Sequence, residues 1–108
     1  MKYYKPVEVT SPKDFIKIIE ILDEGDEDSY AIAIIEWEGI KQVGIRWNVA
    51  RREWNETEKI NERKTCVGMP SSHGYPVWFI LPDTFLFSLL NKTNVTLTNK
   101  VLEILNSK

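Results

Sequence analysis

The stretch from Tyr30 to Trp47, YAIAIIEWEGIKQVGIRW, constrains the fold more than any other part of the chain. Two apolar runs flank Glu38-Gly39, and a glycine ending a two-residue loop marks a β-hairpin closed by a tight turn. Closing the turn there pairs Trp37 with Ile40, Glu36 with Lys41, Ile34 with Val43 and Ile32 with Ile45. One face then collects Tyr30, Ile32, Ile34, Val43, Ile45 and Trp47 and reads as the core face. The other collects Ala31, Ala33, Ile35, Trp37, Ile40, Gln42, Gly44 and Arg46. A one-residue slip would exchange the two sets, so the register is a sharp expectation.

Around this hairpin the pattern predicts an α+β domain. TSPKDFIKIIEILDEG reads as a helix: Ser11 suits the N-cap, Pro12 the first helical position and Gly25 the stop, while Phe15, Ile18, Ile19 and Leu22 share one helical face. The acidic DEGDEDS that follows reads as a solvated connector. Residues 48–64 have no clean period and read as a charged excursion with a helical turn, returning to the sheet near Thr65–Val67. VWFIL, Val77 to Leu81, is uniformly apolar and reads as a strand buried on both faces. A helix after Pro82, with Phe85, Leu86, Leu89 and Leu90 inward, and a terminal helix capped by Thr96 or Thr98 complete the expectation. The sheet is therefore small and mainly antiparallel, packed against two or three helices.

A length of 108 residues suits one domain with one core. Cys66 is the only cysteine, which rules out an internal disulfide and a cysteine-based metal cluster within one chain. The start of the chain lacks an apolar leader and no run is long enough to span a membrane, so a reducing, cytoplasmic setting without membrane contact is expected. Net charge is −2, but unevenly laid out: residues 1–30 hold four Lys against eight Asp or Glu, and residues 41–64 hold seven Lys or Arg against four Glu. Such polarity favours a specific protein partner or self-association over a general polyanion binder.

VGMPSSHGYPVWFILPD, Val67 to Asp83, spaces Gly68, Pro70, Gly74 and Pro76 as a chain that turns more than once in a small space requires. The same stretch holds the weak catalytic candidates. Ser72 or Cys66 would serve as nucleophile with His73, the only histidine, as base, giving a small hydrolase or transferase. The pattern falls short: SSHG is not a nucleophile elbow, and no third group is evident to orient the imidazole. One His and one Cys are too few ligands for a metal, and no cofactor is expected. RWNVARREW, Arg46 to Trp54, interleaves three arginines with two tryptophans, which suits single-stranded nucleic acid by phosphate contact and stacking, although Glu53, Glu56 and Glu58 oppose it.

Arg46-Trp47-Asn48, followed by Gly68, Pro70, Ser72, Gly74, Pro76, Trp78, Phe79, Leu81 and Pro82, resembles a group of short bacterial and mobile-element proteins with an RWN … GxPxSxGxPxWFxLP core. The resemblance implies a shared fold and supplies no substrate, cofactor or catalytic residue. Where that group carries arginine, this chain has His73. The reading that emerges is a non-catalytic binding protein. Its expected surface is the second hairpin face with the central loop, namely Gln42, Gly44, Arg46, Asn48, Ser72 and His73. If helices cover only the Tyr30 face, the Ala31/Ala33/Gly44 strip is left as a shallow groove, and substitutions at Gly44 and Arg46 should spare the fold.

Overall fold

The computed structural model describes residues 1–85, 99, 102–104 and 106. It is an α+β domain whose main sheet has four antiparallel strands, β1 (Ile16–Asp23), β2 (Tyr30–Trp37), β3 (Ile40–Trp47) and β6 (Phe79–Leu81), in the order β1-β2-β3-β6. A second, two-stranded sheet joins β4 (Ser71–Ser72) to β5 (Tyr75–Pro76). Short helical segments lie at Pro6–Glu8 and Arg51–Asn55, both 3₁₀, and at α1 (Thr57–Ile60).

The β2–β3 hairpin has the expected register at every position from Tyr30↔Trp47 to Trp37↔Ile40. Glu38 and Gly39 both have positive φ, 50° and 84°, the conformation that matches a two-residue turn to strand twist.

The expected N-terminal helix is instead the edge strand β1. Ser11 caps nothing, and Pro12 lies in a turn closed by Phe15 N–H donating to the Pro12 carbonyl. The physical reason lies in two irregularities. Pairing with β2 runs Ile16↔Trp37, Lys17↔Glu36 and Ile18↔Ile35, skips Ile19, resumes at Glu20↔Ile34 and Ile21↔Ala33, then skips Leu22. Each extra residue breaks the period of two, so Ile18, Ile19 and Leu22 fall at spacings that imitate a helical face. A short isolated helix is marginal in water, whereas isoleucine, branched at Cβ, packs well on a pleated surface.

Both sheet faces are covered. One carries Ile16, Ala31, Ala33 and Ile35 beneath Val9 and Trp78. The other carries Ile32, Ile34 and Val43 beneath Ile104, which lies in helical residues 102–104. Val77–Leu81 is not buried on both faces: only Phe79–Leu81 is strand, it pairs with β3 through Val43↔Leu81 to Ile45↔Phe79, and Phe79 is exposed. Nor does the chain return to the main sheet at Thr65–Val67; Cys66 pairs with Tyr3 in a parallel bridge away from it. Residues 83–85 are helical, with Phe85 exposed and not inward as expected; the rest of the helix expected after Pro82, and the Thr96 or Thr98 cap, lie outside the described residues. Among the described residues no helix is long and apolar enough to cross a membrane.

Candidate functional site

The strip expected to form a groove is filled by the protein's own Trp78. A Cβ on Gly44 would stand 3.1 Å from Trp78 Cε3 and 3.3 Å from Ile35 Cδ1. Glycine thus leaves room where another side chain approaches the strand closely. Trp78 is itself 7% exposed and fixed by its indole N–H donating to the Val9 carbonyl at 2.8 Å. Ala31 and Ala33 lie in the same buried cluster, and Gln42 is half-buried farther along β3.

Arg46 is 2% exposed. Its Nη1 donates to the carbonyls of Val77 and Pro70 and its Nη2 to that of Val67, so one guanidinium gathers both limbs of the central loop. Burial pushes its pKa down to about 10, partly offset by Glu53, and it stays charged at neutral pH. Asn48, also buried, donates from Nδ2 to the carbonyls of Glu24 and Asp26 at 2.9 and 3.1 Å and so fastens the acidic loop. Arg46 and Asn48 therefore act as internal ties between elements far apart in sequence.

A residue that sequence reasoning passed over completes this framework. The Glu53 carboxylate, fully buried, accepts from the N–H groups of Ala50, Val67 and Gly68 and from Lys59 Nζ, at 2.7–2.8 Å. Burial alone would raise its pKa; the Lys59 ammonium and the three amides outweigh that and hold it below the usual carboxylate range. Gly68, at φ 73°, has no room for a Cβ between the Trp47 carbonyl and the Arg46 guanidinium. Met69 then forms a two-bond antiparallel bridge with Trp47.

The catalytic candidates divide between an exposed turn and the interior. His73 and Gly74, at φ 51° and 81°, are the turn of the β4–β5 hairpin, and Ser72 and His73 are exposed there. Cys66 is fully buried, its N–H donates to the Lys2 carbonyl, and burial, then Glu53, pushes its thiol pKa up, away from the reactive thiolate. Among the described residues no group of three His, Cys, Asp or Glu side chains is placed to hold a metal ion.

What the framework does display is an apolar groove of about 460 Å³ at the end of the sheet opposite the Glu38-Gly39 turn. Its walls are Tyr30, Ile45, Trp47, Phe79, Met69 and Pro70, with buried Arg46 also on its lining. Register explains the first four: Tyr30↔Trp47 and Ile45↔Phe79 are cross-strand pairs on one face, where Ile45 edges the cluster around Ile104 and Tyr30, Trp47 and Phe79 lie outside it. Tyr30 and Trp47 meet edge to face with ring centroids 5.5 Å apart. Tyr30, Trp47, Met69 and Phe79 are 42–53% exposed. A second depression of about 380 Å³ shares Trp47 and Met69 and runs on to Trp54, bordered by Glu27, Asp28 and Arg51. Tyr30 and Trp47 fit the alternation of a core face, which is why sequence reasoning assigned them inward; the signal available was their place at the far end of the longest strands.

Fold and site together define a small α+β domain that presents an aromatic groove on a sheet end, held by buried polar ties. Comparison with protein-family models, curated proteins and solved structures finds no match to this chain.

Proposed function

We propose that this chain is a non-catalytic binding protein that docks another macromolecule in the groove between Tyr30, Trp47, Met69 and Phe79. One observation carries the reading: four large apolar side chains stand 42–53% exposed around one concave surface, on a backbone fixed by Arg46 and Glu53. Isolated exposed apolar residues need no explanation, but a contiguous patch of aromatic and methionine side chains has the composition of an interface centre. Catalysis is the weaker reading, because the only histidine is a turn residue and the only thiol is buried with a raised pKa. A reducing, cytoplasmic setting accords with a lone buried cysteine.

The test is crosslinking and affinity capture from the native host with the wild-type chain, Trp47→Ser and Phe79→Ser in parallel, with the oligomeric state measured by light scattering. A partner crosslinked by wild type and lost from both variants supports the reading. A concentration-dependent dimer abolished by the same variants would mean that the groove serves self-association. Partners retained by both variants would remove the groove from the function.

A further inference from the structure

Building on the groove as the docking site, we infer that its occupant is a second copy of this chain: two copies meet groove to groove about a twofold axis, Tyr30, Trp47, Met69 and Phe79 of each packing on the other, with Arg51 of each copy against the partner's Asp28. Two observations point to this occupant.

The first is charge. The charged residues on the groove and its extension are Arg46, Glu27, Asp28 and Arg51. Arg46 is buried and directs both Nη groups to loop carbonyls, and Glu27 accepts from the Met1 amino group at 2.5 Å. Asp28 and Arg51 are exposed and flank the depression that holds Trp47 and Trp54, yet among the described residues neither joins an ion pair. One open acid and one open base beside the same aromatic patch favour no partner of a single sign, whether a basic peptide or a phosphate backbone. They do match a copy of themselves, because a twofold axis that sets residue i against j also sets j against i. Two identical ion pairs then close over the aromatic contact, one on each side of the axis.

The second is size. Side chains of about 150–250 Å² at these exposures leave roughly 400 Å² of apolar surface across Tyr30, Trp47, Trp54, Phe79 and Met69. Each partner of a standard interface contributes about 800 Å², of which somewhat more than half is apolar, so this patch supplies most of the apolar area that one copy of a dimer needs. It falls short of an obligate dimer, whose interface is larger and more apolar, and fits two copies that associate reversibly. Phe79 and Met69, the most exposed of the walls at 53% and 49%, provide the side chains that enter the facing groove.

The experiment is sedimentation equilibrium of the full chain from about 1 µM to about 1 mM, with variants chosen for the symmetry. Wild type should dimerise reversibly within that range, and Trp47→Ser and Phe79→Ser should each weaken the dimer by about tenfold or more. Arg51→Glu sets acid against acid at both ionic contacts, and Asp28→Lys sets base against base, so each of these variants alone should also lose about tenfold or more. An equimolar mixture of the two restores opposite charges at both contacts. It should give a one-to-one heterodimer, identified by native mass spectrometry, with an affinity within about threefold of wild type. Asp28 and Arg51 are exposed, so this exchange leaves the core intact and decides the point even if an aromatic variant folds poorly; circular dichroism checks the fold of each. A wild type that stays monomeric throughout overturns the inference, and whether the groove docks a different macromolecule then rests on the capture experiment. A dimer that folded Trp47→Ser and Phe79→Ser leave unweakened overturns it, since another face would then join the copies. A dimer that the charge variants do not weaken, or that mixing them does not restore, overturns the twofold pairing and the inference with it.

Discussion

Arg46 and Glu53 hold the two backbone polar groups of one residue: Arg46 Nη2 donates to the Val67 carbonyl, and Glu53 Oε2 accepts from the Val67 N–H at 2.8 Å. Neither side chain reaches solvent to any useful extent, so each charge is compensated by fixed peptide dipoles and by the opposite charge nearby. The segment they grip leads directly into Met69 and Pro70, one wall of the aromatic groove. Two buried charges thereby set the shape of an exposed apolar surface.

Arg46→Ala removes the common donor to the Val67, Pro70 and Val77 carbonyls and leaves those buried acceptors without it. Stability should fall by about 3 kcal/mol, the usual result of breaking a buried, hydrogen-bonded charge. Arg46→Lys should recover little, because an ammonium on a single stem cannot reproduce the fork that spans both limbs of the loop. Urea unfolding of both variants checks this; a fully stable alanine variant would show that the ties carry no net energy.

Glu53 predicts a pH dependence of known sign. Its folded pKa is depressed, so its stabilisation is complete above the ordinary glutamate value of 4.5 and is lost as pH falls through the lower folded value. Glu53→Gln should cost about 2–3 kcal/mol at neutral pH, since an amide cannot accept the Lys59 proton and the three N–H bonds equally well. The gap between wild type and variant should then narrow as pH is lowered below 4.5. Denaturant midpoints measured across the acid range give both curves, and a constant gap would disprove the assignment.

Gly44 and Trp78 should be energetically coupled. Trp78→Ala should cost about 3–5 kcal/mol by emptying the space over β3. Gly44→Leu should cost about 1–3 kcal/mol by overpacking the same space, against the expectation that substitution here spares the fold. In the double variant leucine can occupy part of the vacated volume, so the combined loss should fall short of the sum by at least about 0.5 kcal/mol. Strict additivity would mean that the two residues do not compete for one space.

How much of this was legible in the sequence depended on the distance over which each signal acts. The β2–β3 hairpin was readable to the residue because its turn glycine and its period of two are local. β1 was misread because the residues at Ile19 and Leu22 interrupt that period, and pairing with a strand farther along the chain, invisible locally, decides the outcome. The ties were illegible for a related reason: Arg46 and Glu53 bond mainly to main-chain groups 14–31 residues away, and every sequence supplies such groups at every position. The central loop was recognised as a multiple turn, yet the six residues singled out for binding divide into Gly44 beneath Trp78, half-buried Gln42, the buried ties Arg46 and Asn48, and Ser72 and His73, exposed at the β4–β5 hairpin. The groove escaped notice since alternation reveals which face a residue occupies but not where the cover on that face ends.

Gly74 offers a clean measure of backbone strain. Its φ is 81° and a Cβ there would meet nothing within 4 Å, so a substitution reports conformation without steric crowding. Gly74→Val should lower stability by about 1 kcal/mol or more, because a β-branched residue is poorly tolerated at positive φ. Gly74→Asn should cost less, since asparagine tolerates that region. Equal thermal midpoints for valine, asparagine and glycine would contradict the turn geometry.

The groove itself makes the most specific demand, which is separation of binding from stability. Trp47 and Phe79 are 42% and 53% exposed, and neither belongs to the buried clusters on the two faces of the sheet. Replacing either with threonine keeps a β-branched residue in its strand and removes apolar surface that is already half in water, so the melting temperature should change little, within about 1 kcal/mol of stability. Trp47→Thr loses the edge contact with Tyr30 as well and should be the costlier of the two. Binding should respond in the opposite proportion, falling by about tenfold or more for each, because an anchor pocket loses both its contact area and its exclusion of water when one wall is removed. Ser72→Ala and His73→Ala, exposed at the β4–β5 turn beyond the groove walls, serve as controls and should leave both stability and binding unchanged. Threonine variants that bind normally, or that unfold at ambient temperature, would each show that Trp47 and Phe79 serve the fold and not a partner.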